Sequence, residues 1–298
     1  MIKRTLHFGN PAFLHLENAQ LMVKRMEEGI EKKRSVPIED IGVVILDHPQ
    51  ISITHGAMAA LLENNCAVIT SNAKYMPSGL LLPLDGHSLQ NERFRAQLDA
   101  SEPLKKQLWQ QTVQMKIRNQ ATVLESTGQD ATPLRVWANE VKSGDTENHE
   151  ARAAAWYWAR LFRITGFTRE RGGQSPNNYL NYGYAILRAV VARSLVGSGL
   201  LPTLGIHHAN KYNAYCLADD IMEPYRPFVD RIVVNMWEEY GPSDDLDIEL
   251  KKPLLQIPAI DVQLDKEKSP LLVASMRTTA SLARCFEGTQ RKILYPEL

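Results

Sequence analysis

The stretch Gly79-Leu80-Leu81-Leu82-Pro83-Leu84-Asp85-Gly86-His87-Ser88-Leu89-Gln90 is where this chain changes period. Before it, apolar runs are short, as at residues 5–8, 12–16 and 20–23, with β-branched runs at 41–46 and 67–70. Turn formers such as Gly9-Asn10-Pro11 and Glu17-Asn18 separate them, the pattern of strands. Residues 55–64, rich in Ala and Leu, read as one short helix. After Gln90 helical spacing takes over, with Phe94, Leu98, Leu108, Val113, Met115 and Ile117 set among Lys, Arg and Gln. Helices are predicted over 145–163, with Asp145 as cap, and over 179–196, 213–240 and 275–286. Residues 241–270, acidic and then punctuated by proline, read as a loop with a short hairpin. The predicted class is a multidomain α+β fold: a small N-terminal β-rich domain, 1–86, followed by a larger helical domain, 87–298.

Composition narrows the function classes. An apolar share of 44% and a charged share of 23% suit a folded chain rather than a disordered one. Lys and Arg number 34 against 34 Asp and Glu, so a basic, tail-driven nucleic-acid binder is not expected. No apolar run reaches the roughly 18 residues a spanning helix needs, and no apolar segment follows the basic start, so a cytoplasmic location is expected. Cys66, Cys216 and Cys285 are far apart without zinc spacing and read as reduced thiols acting as small hydrophobes.

The zero net charge conceals a polarity. Residues 151–200 carry a net charge of +6, all of its cations arginine, and residues 201–250 carry −7. The arginines are Arg152, Arg160, Arg163, Arg169, Arg171, Arg188 and Arg193, interleaved with Trp156, Tyr157, Trp158, Tyr179, Tyr182 and Tyr184. Planar guanidinium forks suit phosphate oxygens, so this block reads as a phosphate-binding face, with Arg152, Arg160, Arg163 and Arg188 as candidate phosphate contacts, on DNA if the resemblance given below holds. Solvated helix faces over a core of aromatics would produce the same pattern.

The acidic block contains Asp219-Asp220-Ile221-Met222-Glu223-Pro224-Tyr225-Arg226-Pro227. Asp220 and Glu223 are three apart, on one helical face, where two carboxylates repel unless a cation or proton lies between them. Pro224 and Pro227 offer no N–H to the carbonyls of Asp220 and Glu223, so the helix is predicted to distort there. Upstream lie the pair His207-His208 in a Gly-bounded loop and Glu150, with Ala153 and Ala154 leaving room above its carboxylate. Two carboxylates and an imidazole make a hard-leaning donor set that suits Mg²⁺ or Mn²⁺. Phosphate-loop, serine-elbow, His-Glu-x-x-His and dinucleotide fingerprints do not occur, which argues against the enzyme classes they mark.

These segments together resemble the universal CRISPR-associated adaptation integrase ("Cas-one") family, in its type II branch. The similarity runs through the opening 3–12, Gly144-Asp145 to Glu150-Ala151, Asn181-Tyr182-Gly183-Tyr184, Leu200 to His208, Leu217 to Pro227, and the ending from Thr278 to Pro296. The resemblance implies a β domain that forms homodimers and a helical catalytic domain. It implies two such dimers flanking a central dimer of a smaller CRISPR partner in a heterohexamer, acting on double-stranded and branched DNA. In the type II branch it adds the effector nuclease and a DNA-end-binding ring protein. It implies Glu150, His208 and Glu223 as catalytic metal ligands, His208 rather than His207, with Asp220 as a supporting acid. The implied chemistry is phosphoryl transfer: a 3′-hydroxyl of captured DNA attacks a phosphodiester of the repeat array. A non-catalytic DNA scaffold, and a metal phosphoesterase of small substrates, are the competing readings of the same residues.

Overall fold

The structure, a computed structural model, describes residues 3–170 and 172–298. Arg171, one of the arginines of the +6 block, lies outside the described residues. The chain forms two compact units, one ending at Ser88 and the other beginning at Leu89. Sheets fill the first and helices dominate the second, the α+β class expected from the change of period.

The first unit contains β1 (Arg4–Phe8), β2 (Ala12–Glu17), β3 (Gln20–Glu27), β4 (Ile30–Pro37), β5 (Ile41–Leu46), β6 (Ile51–Ile53), α1 (His55–Glu63), β7 (Ala67–Ser71) and β8 (Pro77–Leu81). They make two four-stranded sheets, ordered β1-β5-β7-β8 and β4-β3-β2-β6. β1, β5 and β7 are parallel, and Val43, Val44 and Ile45 are fully buried, as a strand covered on both faces requires. Leu14 and Leu21 of one sheet, Ile41, Val44 and Val68 of the other, and Leu61 of α1 share one core.

Two strands escaped the sequence reading. β4 is Ile30-Glu31-Lys32-Lys33-Arg34-Ser35-Val36-Pro37, exposed along most of its length and paired on one side only. An edge strand can carry such charge, so it leaves no apolar signal. The two-residue connection that sets its register is Glu28-Gly29, both at positive φ, as a tight hairpin turn demands. β6 is three residues long, too short for a pattern to show.

The second unit contains α2 (Gln90–Leu98), α3 (Glu102–Ser126), α4 (Thr132–Glu140), α5 (His149–Leu161), α6 (Asn177–Gly197), α7 (Cys216–Met222), α8 (Arg226–Tyr240), α9 (Ile248–Leu255), the hairpin β9 (Asp261–Leu264) and β10 (Glu267–Pro270), and α10 (Leu271–Phe286). α6 lies at the centre. Ile186, Leu187, Val190, Val191, Ala192 and Leu195 are all fully buried, the signature of a helix covered on every side. Close approach is set by small groups. A Cβ on Gly183 would stand 2.6 Å from Val229 Cγ1 of α8. Ser194 and Ser198 pair with Ser275 and Thr279 of α10 through hydroxyl contacts of 2.8 Å.

Three expectations change here. The helix predicted over 145–163 begins at His149 and ends at Leu161, with Asp145 in a 3-10 turn before it. The helix predicted over 213–240 is two helices joined by a 3-10 turn, Glu223–Tyr225, where the prolines remove the donors. The 241–270 segment contains the expected hairpin and also α9, which holds Pro253 near its end. Asp247 caps α9 by accepting from Leu250 N at 2.9 Å, so this acid of the block has a structural role. Among the described residues no helix is long and apolar enough to cross a membrane. The three cysteines are free and buried.

Candidate active site

Glu150 stands in the first turn of α5, and local chemistry places it there. Gly144 and Asn148 take positive φ, turning the chain sharply into the helix. Asp145 then reaches forward: its two carboxylate oxygens accept from the backbone N–H groups of His149 and Glu150, each at 2.9 Å. The cap expected from Asp145 is therefore made, four and five residues ahead and from outside the helix.

Glu223 occupies the first position of the 3-10 turn after α7. Pro224 cannot donate to the carbonyl of Asp220, and the N–H of Glu223 takes that acceptor instead. Asn119 of α3 donates to the carbonyl of Pro224 at 2.8 Å, fixing the turn. Glu223 is buried, and burial pushes its carboxyl upward, but Arg226 and Lys116 outweigh this and hold it below the usual carboxylate range. Arg226 Nε lies 2.9 Å from Oε1.

Between the two acids stands Lys116. Its ammonium is 2.7 Å from Glu150 Oε1 and 2.6 Å from Glu223 Oε2. Burial drives the ammonium down, yet Glu223 and Glu150 together hold its pKa above the ordinary lysine range. The cation demanded by two neighbouring carboxylates is thus present, and it belongs to the chain.

The two histidines have different surroundings. His207 stacks on Trp109 of α3, ring centroids 4.2 Å apart and planes nearly parallel. His208 meets the same indole edge-on and turns Nδ1 to Asp220 Oδ1, 2.5 Å away. Asp220 is fully buried and also accepts from the N–H groups of Ile206, His207 and His208 at 2.8, 3.0 and 3.3 Å. A carboxylate in this position keeps the proton on Nδ1 and leaves Nε2 facing away from it. Asp220 raises the pKa of His208 through that bond, against the opposing effect of burial, and Glu223 and Glu150 add to the rise. Gly205 makes the loop possible: a Cβ there would lie 2.3 Å from the carbonyl oxygen of His208 and 2.7 Å from Asp220 Oδ2.

Asp220 and Glu223 therefore do not share a cation, as their spacing had suggested. Asp220 serves the histidine loop, and Glu223 faces Lys116 and Arg226. Among the described residues, no three His, Cys, Asp or Glu side chains are gathered closely enough to enclose a metal ion.

The arginines also divide. Arg188 donates to Asp219 through Nε at 2.7 Å and Nη2 at 3.1 Å, tying α6 to α7, so its fork is already filled. Arg169 turns to Asn177 and Asn181, and Arg193 is buried. Arg152 lies over Trp137 and Arg160 over Trp156 as cation–π pairs, while Arg163 donates to the carbonyl of Thr127. Of the interleaved aromatics, Tyr157, Tyr179, Tyr182 and Tyr184 are core residues. Trp109, Lys116 and Asn119 went unnoticed in the sequence. The available signal was a lysine in the buried stripe of α3, on the face that carries Trp109, Thr112, Val113 and Asn119.

Comparison with known proteins gives consistent matches. The family model described as CRISPR associated protein Cas1 matches residues 7–256. The CRISPR-associated endonuclease Cas1 of Neisseria meningitidis serogroup C is 37% identical over 301 residues, covering 100% of this chain and 97% of that protein. A casposase bound to integration product superposes with a TM-score of 0.78 at 20% identity, covering 98% of this chain and 92% of the other. A chain of a Cas6-RT-Cas1–Cas2 complex does so with 0.75 at 19%, covering 99% of this chain and 36% of the other. At those identities the two structures establish likeness of fold.

Proposed function

Because the chain belongs to the Cas1 family of CRISPR-associated proteins, we propose that it is the endonuclease and integrase of CRISPR adaptation, in the type II branch. It inserts short captured duplexes into the repeat array. The observation that carries the site assignment is the convergence of Glu150 and Glu223, from separate segments, on one positive charge, the ammonium of Lys116.

The donor chemistry fits a divalent metal. Two carboxylate oxygens already hold a cation between them, and Asp220 engages His208 through Nδ1, not Nε2. Glu150, His208 and Glu223 would hold Mg²⁺ or Mn²⁺, which when bound supplies Lewis-acid charge that makes a hydroxyl a better nucleophile and offsets charge on phosphoryl oxygens. Arg226 keeps Glu223 ionised and in place, and Asp220 orients His208. Arg152, Arg160 and Arg163, at the surface of α5 and just beyond it, hold backbone phosphates of the duplex. The 3′-hydroxyl of the captured strand gives up its proton to water and its oxygen bonds to phosphorus as the repeat's own P–O3′ bond breaks, and the departing oxygen takes up a proton from water as a free 3′-hydroxyl. No side chain needs to become covalently attached, because the DNA hydroxyl is the nucleophile. The partners that go with this reading are a second copy of the chain and the small Cas2 protein in a heterohexamer, with the effector nuclease and a DNA-end-binding ring protein.

The test is joining of a short duplex to a repeat-bearing plasmid in Mg²⁺ or Mn²⁺, with the small partner present. Wild type joins strands and Glu223→Ala loses joining by at least about a hundredfold. Equal joining by Glu223→Ala refutes the site. Salt-sensitive DNA binding with neither joining nor cleavage in any metal would make the chain a scaffold.

A further inference from the structure

Lys116 reaches the acids from the buried face of α3, with its side chain 11% exposed. It meets Glu150 Oε1 at 2.7 Å and Glu223 Oε2 at 2.6 Å, so one ammonium is shared by oxygens from two segments. Arg226 lies on the other oxygen of Glu223. Two carboxylates and two cations make this cluster neutral as it stands. A divalent ion entering between Glu150 and Glu223 would compete for the oxygens that Lys116 holds, and would meet Lys116 as a like charge. The residue type suits an exchange. Lysine is a compact point charge on a flexible four-carbon stem that can withdraw, whereas arginine grips carboxylates with a fixed fork. Without any cation, two buried carboxylates would repel or one would take up a proton.

We infer that Lys116 is a built-in counterion, which holds Glu150 and Glu223 together in the metal-free protein and gives way to the incoming divalent cation, thereby setting the metal affinity of the site. This rests on Glu150, His208 and Glu223 being the metal ligands.

The experiment is a Mn²⁺ titration of the full chain, with free Mn²⁺ followed by electron paramagnetic resonance, paired with thermal unfolding in chelator and in Mn²⁺. Wild type, Lys116→Met, Lys116→Gln, Lys116→Arg and Glu223→Ala are compared. If wild type binds no Mn²⁺, or Glu223→Ala binds it equally well, the metal-site reading itself fails. Given binding that depends on Glu223, Lys116→Met should bind Mn²⁺ at least about threefold more tightly than wild type, because the competing charge is gone. It should melt lower than wild type in chelator and recover in Mn²⁺. Lys116→Arg, which keeps the charge, should bind no more tightly than wild type. Should Lys116→Met fail to fold in chelator, Lys116→Gln is titrated in its place and read against the same limits. Mn²⁺ affinity in the neutral variants equal to or weaker than wild type overturns the inference.

Discussion

Asp220 Oδ1 lies 2.5 Å from Nδ1 of His208, and the same carboxylate accepts the backbone N–H groups of residues 206, 207 and 208. One fully buried acid therefore shapes the loop and aims the imidazole it carries. In Asp220→Asn an amide replaces the carboxylate, its charge is lost, and its NH₂ faces N–H donors. Removing such a partner of a metal-binding histidine typically costs about 10- to 100-fold in metal affinity or activity. Strand joining and Mn²⁺ affinity should fall together by that order, while the far-ultraviolet dichroism stays that of a folded helical protein.

The histidines should separate by assay. His208→Ala should abolish strand joining with a small change in melting temperature, since its side chain is 46% exposed. His207→Ala removes the stack on Trp109, which is worth about 0.5–1.5 kcal/mol, and should lower stability while joining persists. Loss of joining in His207→Ala alone would reverse the assignment.

The raised pKa of His208 has a pH consequence. Asp220 favours the imidazolium, so the stability it contributes is complete below the unfolded pKa of about 6.5. That contribution disappears as pH rises through the higher folded value. The gap in melting temperature between wild type and His208→Gln, measured in chelator, should narrow across that window. Mn²⁺ affinity should move the other way, rising with pH, because ligation needs the neutral ring. A gap that widens with pH contradicts the assignment of Asp220 as the cause.

Gly205→Ala places a methyl group 2.3 Å from the carbonyl oxygen of His208 and 2.7 Å from Asp220 Oδ2. One obstacle is backbone and the other belongs to a carboxylate held by four donors, so the loop must move. Joining should fall at least about tenfold, with a loss of roughly 1–3 kcal/mol in stability by denaturant unfolding. Normal joining by this variant would mean that the loop tolerates displacement.

Asp230 supplies a pH signal away from the proposed metal ligands. It is buried between the hydroxyls of Tyr157 and Tyr184. Burial pushes its pKa up to about 7, although both tyrosines and the nearby Arg169 and Arg226 oppose the rise. The folded state keeps a proton that the unfolded chain loses near pH 4, so this group lowers stability as pH climbs from there to about 7. Asp230→Asn should gain stability relative to wild type over that interval and level off above it. Urea unfolding at pH 4, 5.5 and 7.5 measures the difference, and parallel pH curves would deny the raised pKa.

Much of this molecule is legible along the chain because the cause is local. The change of period at Gly79 to Gln90 separates strands from helices by side-chain repeat alone. Pro224 breaks the helix at Glu223 because a missing N–H acts on its own turn. Asp145 and Asp247 cap because their carboxylates reach neighbouring backbone. β4 was hidden because an edge strand needs no apolar face, and α9 because an acidic, Pro-punctuated segment resembles a loop until Asp247 caps it.

Tertiary structure decided what each polar side chain faces. Asp220 and Glu223 are three apart, yet one turns to the 205–208 loop and the other to α3. Arg188 looks like a free phosphate contact until Asp219 fills its fork. His207 and His208 are adjacent, and Trp109, about a hundred residues earlier, takes one by stacking while Asp220 takes the other by hydrogen bonding. Lys116 stands at the centre of the site, although nothing around it in the chain marks it beyond a charge in a buried stripe. Sequence thus specified backbone period, breaks and caps, whose partners lie within a turn. The pairing of charges was settled by packing, since burying an ion demands a counterion and only the folded chain determines which one is near enough.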